Sequence, residues 1–219
     1  MNIRIDLEAN SKETLEGNIL DDVAADVLGE DAVETASLVF ELDLDFRDRE
    51  DLPSRGARFH TQHQISKAAG EDVRTYFVGE GSIEFFATTG PFTLGVKGGG
   101  LYSRKDVPYY HLPVLGQNSY LRGFRRNRFS GSTGVFIDSD LRIQLLDRPD
   151  ALIPHKFGVK FFVDQGRVYY KGETSNTWHV GYGAGIYFVP LRERFALNLS
   201  MAFSEEESGL IIFGLGSSF

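Results

Sequence analysis

Strict alternation of apolar and charged residues constrains this chain more than any other feature. Across 38–47, Phe40, Leu42, Leu44 and Phe46 fall on one side of an extended strand, and Glu41, Asp43, Asp45 and Arg47 on the other. So charged a face cannot enter a dry packed core. It either meets water while the apolar side packs on a core, or lines a wet lumen while the apolar side meets lipid. The pattern returns at 195–203, where Phe195, Leu197, Leu199, Met201 and Phe203 oppose Ala196, Asn198, Ser200 and Ala202. It returns again at 211–219, where Ile211, Phe213, Leu215 and Phe219 share a side with Ser217, opposite Ile212, Gly214, Gly216 and Ser218. The chain therefore ends on an aromatic residue within a strand, where soluble domains usually end in polar, frayed residues.

Alternation predicts nine strands, near 35–48, 56–68, 73–89, 92–104, 132–147, 155–165, 177–190, 194–204 and 209–219. Ile3, Ile5 and Leu7 alternate as well and would add a tenth. The connections at 48–56, 89–91 and 190–194 are short turns, whereas 105–131, 166–176 and 204–209 are long or polar loops. Residues 10–33 break the pattern: Leu15, Ile19, Val23, Val27 and Leu28 recur at helical spacing among acids. This stretch is expected to be an amphipathic helix or irregular loop serving as a cap or plug. The expected organisation is an N-terminal segment, 1–34, and a β-barrel region, 35–219, that carries the motif loop 105–131.

Composition narrows the function. The net charge of -8 argues against nucleic-acid binding, whose proteins are basic overall. There is no cysteine, which removes disulfides, thiolate metal sites and cysteine nucleophiles. No run reaches the ~18 apolar residues of a membrane helix. A mean hydropathy of -0.21 looks soluble, but a transmembrane barrel never scores as hydrophobic overall.

The loop 105–131 concentrates Arg122, Arg125, Arg126 and Arg128 within an acidic chain. It is either an anion-binding surface or neutralised by carboxylates held elsewhere. Other chemistry is thin. His60 and His63, three apart on a strand, face opposite sides, and His111, His155 and His179 are scattered, so no metal site is expected. Gly98-Gly99-Gly100 lacks the following Lys-Ser and helix of a phosphate cradle. Ser130, Ser132 and Ser139 lack a nucleophile-elbow setting. The chain reads as a non-enzyme without catalytic residues or cofactors.

Four elements resemble the barrel of the BamA-type outer-membrane assembly and translocation superfamily, the bacterial surface antigen family. Leu121-Arg122-Gly123-Phe124, preceded by Leu115-Gly116-Gln117-Asn118-Ser119, is similar to the family's Val-Arg-Gly-Phe loop motif. Phe162-Val163-Asp164-Gln165-Gly166 matches its Phe-x-Asp-x-Gly strand element. Asp140-Leu141-Arg142 is similar to its Glu-Leu-Arg, and Asp48-Arg49 through Pro53-Ser54-Arg55-Gly56 to a family hairpin turn. The order agrees over 35–219: four strands, the motif loop, five strands and a terminal Phe219 in the position of the C-terminal strand signal.

The resemblance implies a transmembrane antiparallel β-barrel whose motif loop folds into the lumen. Arg122 would pair with Asp164, with Phe124 and Phe162 packing beside the pair. Gly123 would allow a tight turn, and Gly166 would let the strand end just past its Asp. Asp138 and Asp140 would help to neutralise Arg125, Arg126 or Arg128. The family's barrels have about sixteen strands and preceding POTRA modules. The expectation is therefore a short POTRA-less member or a fragment, with homodimerisation edge to edge as one way to complete the wall. Implied partners are outer-membrane lipid and unfolded outer-membrane or secreted proteins, at the bacterial outer membrane. The residues alone also allow a self-closed barrel that binds a small ligand or lipid. A secretion barrel whose passenger is absent is a third reading.

Overall fold

A computed structural model describes residues 2–12, 33–69, 74–104, 107–117, 120–170, 176–190 and 195–216. The expected helix over 15–28 and the terminal Phe219 lie outside the described residues. The strands are β1 (Asn2–Lys12), β2 (Val33–Asp45), β3 (Gly56–Ala69), β4 (Arg74–Thr89), β5 (Phe92–Arg104), β6 (Val114–Leu115), β7 (Phe129–Ser130), β8 (Thr133–Arg148), β9 (His155–Tyr169), β10 (His179–Pro190), β11 (Leu197–Ser204) and β12 (Leu210–Leu215). Ten of them form one antiparallel sheet in the order β1-β2-β3-β4-β5-β8-β9-β10-β11-β12, while β6 and β7 form a small ladder inside the motif loop. Each sheet strand pairs with its sequence neighbour, so the wall is a simple meander, and the tenth strand expected from Ile3, Ile5 and Leu7 is β1.

The two faces follow the alternation. On β8, Phe136, Asp138, Asp140 and Arg142 point inward and are buried, while Ile137 and Leu141 point outward and stay exposed. On β11, Asn198 and Ser200 point inward, and Leu199 and Met201 outward. Phe85 is 54 % exposed and Phe213 67 %, and comparable residues lie on the outer face of each sheet strand β2 to β5 and β8 to β12. Leaving one such side chain in water forgoes about 1.5–3 kcal/mol, so a continuous apolar exterior of this size belongs in hydrocarbon. A strand of 13 residues such as β5, tilted as barrel strands are, rises about 33 Å, enough for the bilayer core.

The meander puts the β2–β3, β4–β5, β8–β9 and β10–β11 junctions at one end, the turn side, and the β5–β8, β9–β10 and β11–β12 junctions at the other, the loop side. Gly90, at φ +58°, makes the tight turn between Thr89 and Phe92. A bulge between Gln144 and Leu146 inserts Leu145 into β8 near the turn side and bends that strand.

One expectation is corrected here. Gly166 does not end its strand; it pairs with Phe136 on one side and His179 on the other, and β9 runs on to Tyr169. Its missing side chain serves a different purpose. A Cβ at Gly166 would press on Leu115 at 3.0 Å, so the glycine makes room for the motif loop.

Candidate functional site

The motif loop folds back into the lumen and brings Arg122 to the middle of the wall. Its backbone departs from ordinary geometry: Tyr120 and Leu121 adopt φ of 63° and 73°, and Gly123 104°. Left-handed conformations at two non-glycine residues persist only where the surroundings fix them. Here the β6–β7 ladder closes the loop's base, and Gly116 and Gln117 donate backbone hydrogen bonds to the Tyr120 and Phe124 carbonyls. Leu115, Leu121 and Phe124 then bury themselves against Phe136 and Val168 of the wall.

Arg122 binds Asp164 three times. Its backbone N–H and its Nε donate to Oδ2 at 2.8 and 2.7 Å, and its Nη2 donates to Oδ1 at 2.6 Å. The same Nη2 lies 2.8 Å from Oδ1 of Asp140. Both carboxylates are buried, with side chains 1 % exposed or less. The guanidinium also stacks on Phe162, 4.1 Å from its ring centre. A bidentate pair of this kind fixes orientation as well as charge.

Phe162 thus takes the place beside the pair, whereas Phe124 is turned into an aromatic cluster. It meets Phe129 and His179 edge-on at 5.1 and 5.8 Å. Asp140 neutralises Arg122 and not the outer arginines. Arg125 and Arg128 are satisfied from the loop side: Arg125 pairs with Glu207 and Arg128 with Glu206, each at 2.6 Å. The reason is reach. Asp138 and Asp140 are buried in the wall, whereas Arg125 and Arg128 sit at its rim beside the acidic β11–β12 loop.

The seat of the loop was missed by motif reading. Gly181, Gly183 and Gly185 alternate on the inward face of β10. The Arg122 carbonyl lies where a Cβ of Gly181 would be, and the Phe162 ring lies over Gly183, whose Cβ would meet it at 2.4 Å. The available signal was the alternating glycine pattern in Gly181-Tyr182-Gly183-Ala184-Gly185, which leaves one strand face without side chains.

A second polar group lines β2 to β5. Arg47 pairs with Asp45 and Glu84 at 2.7 and 3.1 Å, Arg58 with Asp43 at 2.5 Å, and Lys97 with Glu84 at 3.3 Å. His60 faces inward among Glu41, Asp43 and Glu80, while His63 faces outward and hydrogen-bonds Tyr102. Glu41, Asp43 and His60 are close enough to share a cation. The Arg58 guanidinium already occupies Asp43, which opposes that use. Between this group and the motif loop lies a cavity of about 850 Å³, lined by residues including Gln62, Gln64, Lys97, Tyr120, Asp138 and Ile212.

An apolar exterior, a charged lumen and an inward loop riveted through Arg-Gly-Phe to a strand Asp together point to one group of proteins. The model of the Omp85 superfamily domain matches residues 2–219. The chain belongs to the Omp85 superfamily. The match includes β1 as well as the 35–219 region. Omp85 proteins act in outer-membrane protein assembly or translocation and reside in the bacterial outer membrane, and this chain shares their β-barrel class. A search of the curated proteins found no match.

Proposed function

We propose that this Omp85 chain is a non-catalytic barrel that promotes the insertion or translocation of polypeptides at the outer membrane, with the Arg122 loop bracing its lumen. The observation that carries the reading is the contact of Arg122 with Asp164 and Asp140 inside a wall whose outside is apolar. A rigid interior lets the wall stay folded while its edges exchange partners. Among the described residues no ladder joins β1 to β12, and such edges in lipid leave backbone groups whose unpaired state costs several kcal/mol each. Those edges suit a passing strand, or a second copy that completes the wall as a homodimer.

Reconstitution tests this reading. The purified chain in liposomes is mixed with a urea-unfolded outer-membrane barrel protein, and folding of that protein is followed by heat-modifiable gel migration. Faster folding than in empty liposomes is expected. No acceleration by a chain that is itself heat-modifiable sinks the proposal. Native mass in detergent separates a monomer from a two-copy barrel.

The cavity beside Tyr120 favours one other reading, a barrel that holds a small polar ligand. A ligand that co-purifies and raises the unfolding temperature would support it.

A further inference from the structure

Arg122 and Arg142, both buried in the lumen, are held in opposite ways, and the difference singles out the 48–55 turn. Arg122 is fastened by two carboxylates. Arg142, 3 % exposed, donates from Nη2 to a neutral acceptor, the carbonyl of Pro53, and its Nε has no acceptor among the described residues. Its guanidinium also lies 5.6 Å from the Phe86 ring centre.

Pro53 belongs to the β2–β3 connection but is itself fully buried beneath β8. The turn is preformed. Asp48 accepts from the backbone N–H groups of Ser54 and Arg55 and from the Ser54 hydroxyl, and its own N–H donates to the Arg55 carbonyl. Its tip crosses the turn-side mouth. Leu52 packs on Tyr187, Val189 and Ala196 of β10 and the segment entering β11, and Thr88 at the end of β4 donates to the Ser54 carbonyl. Asp51 reaches to within 3.7 Å of the Cβ position of Gly216, just past β12. A connection between the second and third strands thus touches both halves of the wall.

We propose that the 48–55 turn is a displaceable plug that closes the turn-side end of the lumen, latched by Arg142 on the Pro53 carbonyl. A rigid, self-bonded turn moves as a unit about its β2 and β3 stems. Among the described residues its attachments across the mouth include one hydrogen bond to a charged donor, one to a hydroxyl and a small apolar contact. These are the kind of contacts that local opening breaks without unfolding a sheet. Opening would connect the cavity at Gln62 with the turn side.

The absence of cysteine gives a clean test. A single Gln62→Cys reporter is placed in the full chain in proteoliposomes, and a membrane-impermeant maleimide is applied to the loop side or the turn side. In the otherwise native chain, labelling from the turn side is expected to be slower than from the loop side. Arg142→Gln, or Leu52→Gly with Pro53→Gly, is expected to speed turn-side labelling by about tenfold or more, the scale set by losing a hydrogen bond to a charged group. Loop-side labelling and heat-modifiable migration should stay unchanged. Equal rates from the two sides in the native chain would overturn the plug. So would variants that fold and leave the turn-side rate as it was. If both variants misfold, the native comparison still decides.

Discussion

The carbonyl of Arg122 occupies the position in which a side chain on Gly181 would begin. Loop and wall fit only because β10 presents bare backbone there. Gly181→Ala is therefore expected to lower stability by about 1–3 kcal/mol, the cost of forcing extra volume into a packed contact. Gly98→Ala is the control, since the nearest atom to its added Cβ is 3.9 Å away. Urea unfolding of both variants in detergent measures the difference. Equal losses would remove the seat.

Removal of the Arg122 side chain strands two buried carboxylates. Arg122→Ala is expected to cost about 3–5 kcal/mol, because the penalty is that of uncompensated buried charge more than of a lost contact. Adding Asp140→Asn and Asp164→Asn to that variant should recover part of the loss, since the amides need no counter-ion. Failure of the triple variant to exceed Arg122→Ala in unfolding free energy would mean that packing, not charge, holds the loop.

The strand faces were legible in the sequence because alternation is local, whereas the Arg122–Asp164 pair was legible only through the resemblance of its two motifs to the family's loop and strand elements. The placement of His60 and His63 on opposite faces follows from the same period. What depended on distance in the fold was not legible. Nothing local tells that Glu206 and Glu207 reach back to Arg128 and Arg125, or that Asp140 joins Asp164 on one guanidinium. The 48–55 segment looked like an ordinary hairpin turn, and its role on the turn side appears only once Pro53 is seen beneath Arg142.

The rim pairs should matter little. Arg125 and Arg128 are well exposed, so their partners in Glu207 and Glu206 are screened by water and salt. Glu206→Gln with Glu207→Gln is expected to change stability by less than about 1 kcal/mol per pair. The change should fade in 1 M salt, where the screening length is about 3 Å. A larger, salt-resistant loss would assign these pairs a buried role.

Acid should loosen the 48–55 turn through Asp48. Burial pushes its carboxyl up, but the hydrogen bonds from Ser54 and Arg55 and the charge of Arg49 outweigh it and hold the carboxyl below its ordinary value. A carboxylate depressed in the folded state stabilises fully above the unfolded pKa of about 3.9, and that contribution is lost as pH falls through the folded value. Asp48→Asn keeps the shape but cannot carry the charge. The stability gap between native chain and variant is therefore expected to be widest near neutrality and to shrink below about pH 4. Unfolding midpoints in detergent between pH 7 and pH 2 measure it. A gap that stays constant across the range would show that the hydrogen bonds of Asp48 hold the turn without help from its charge.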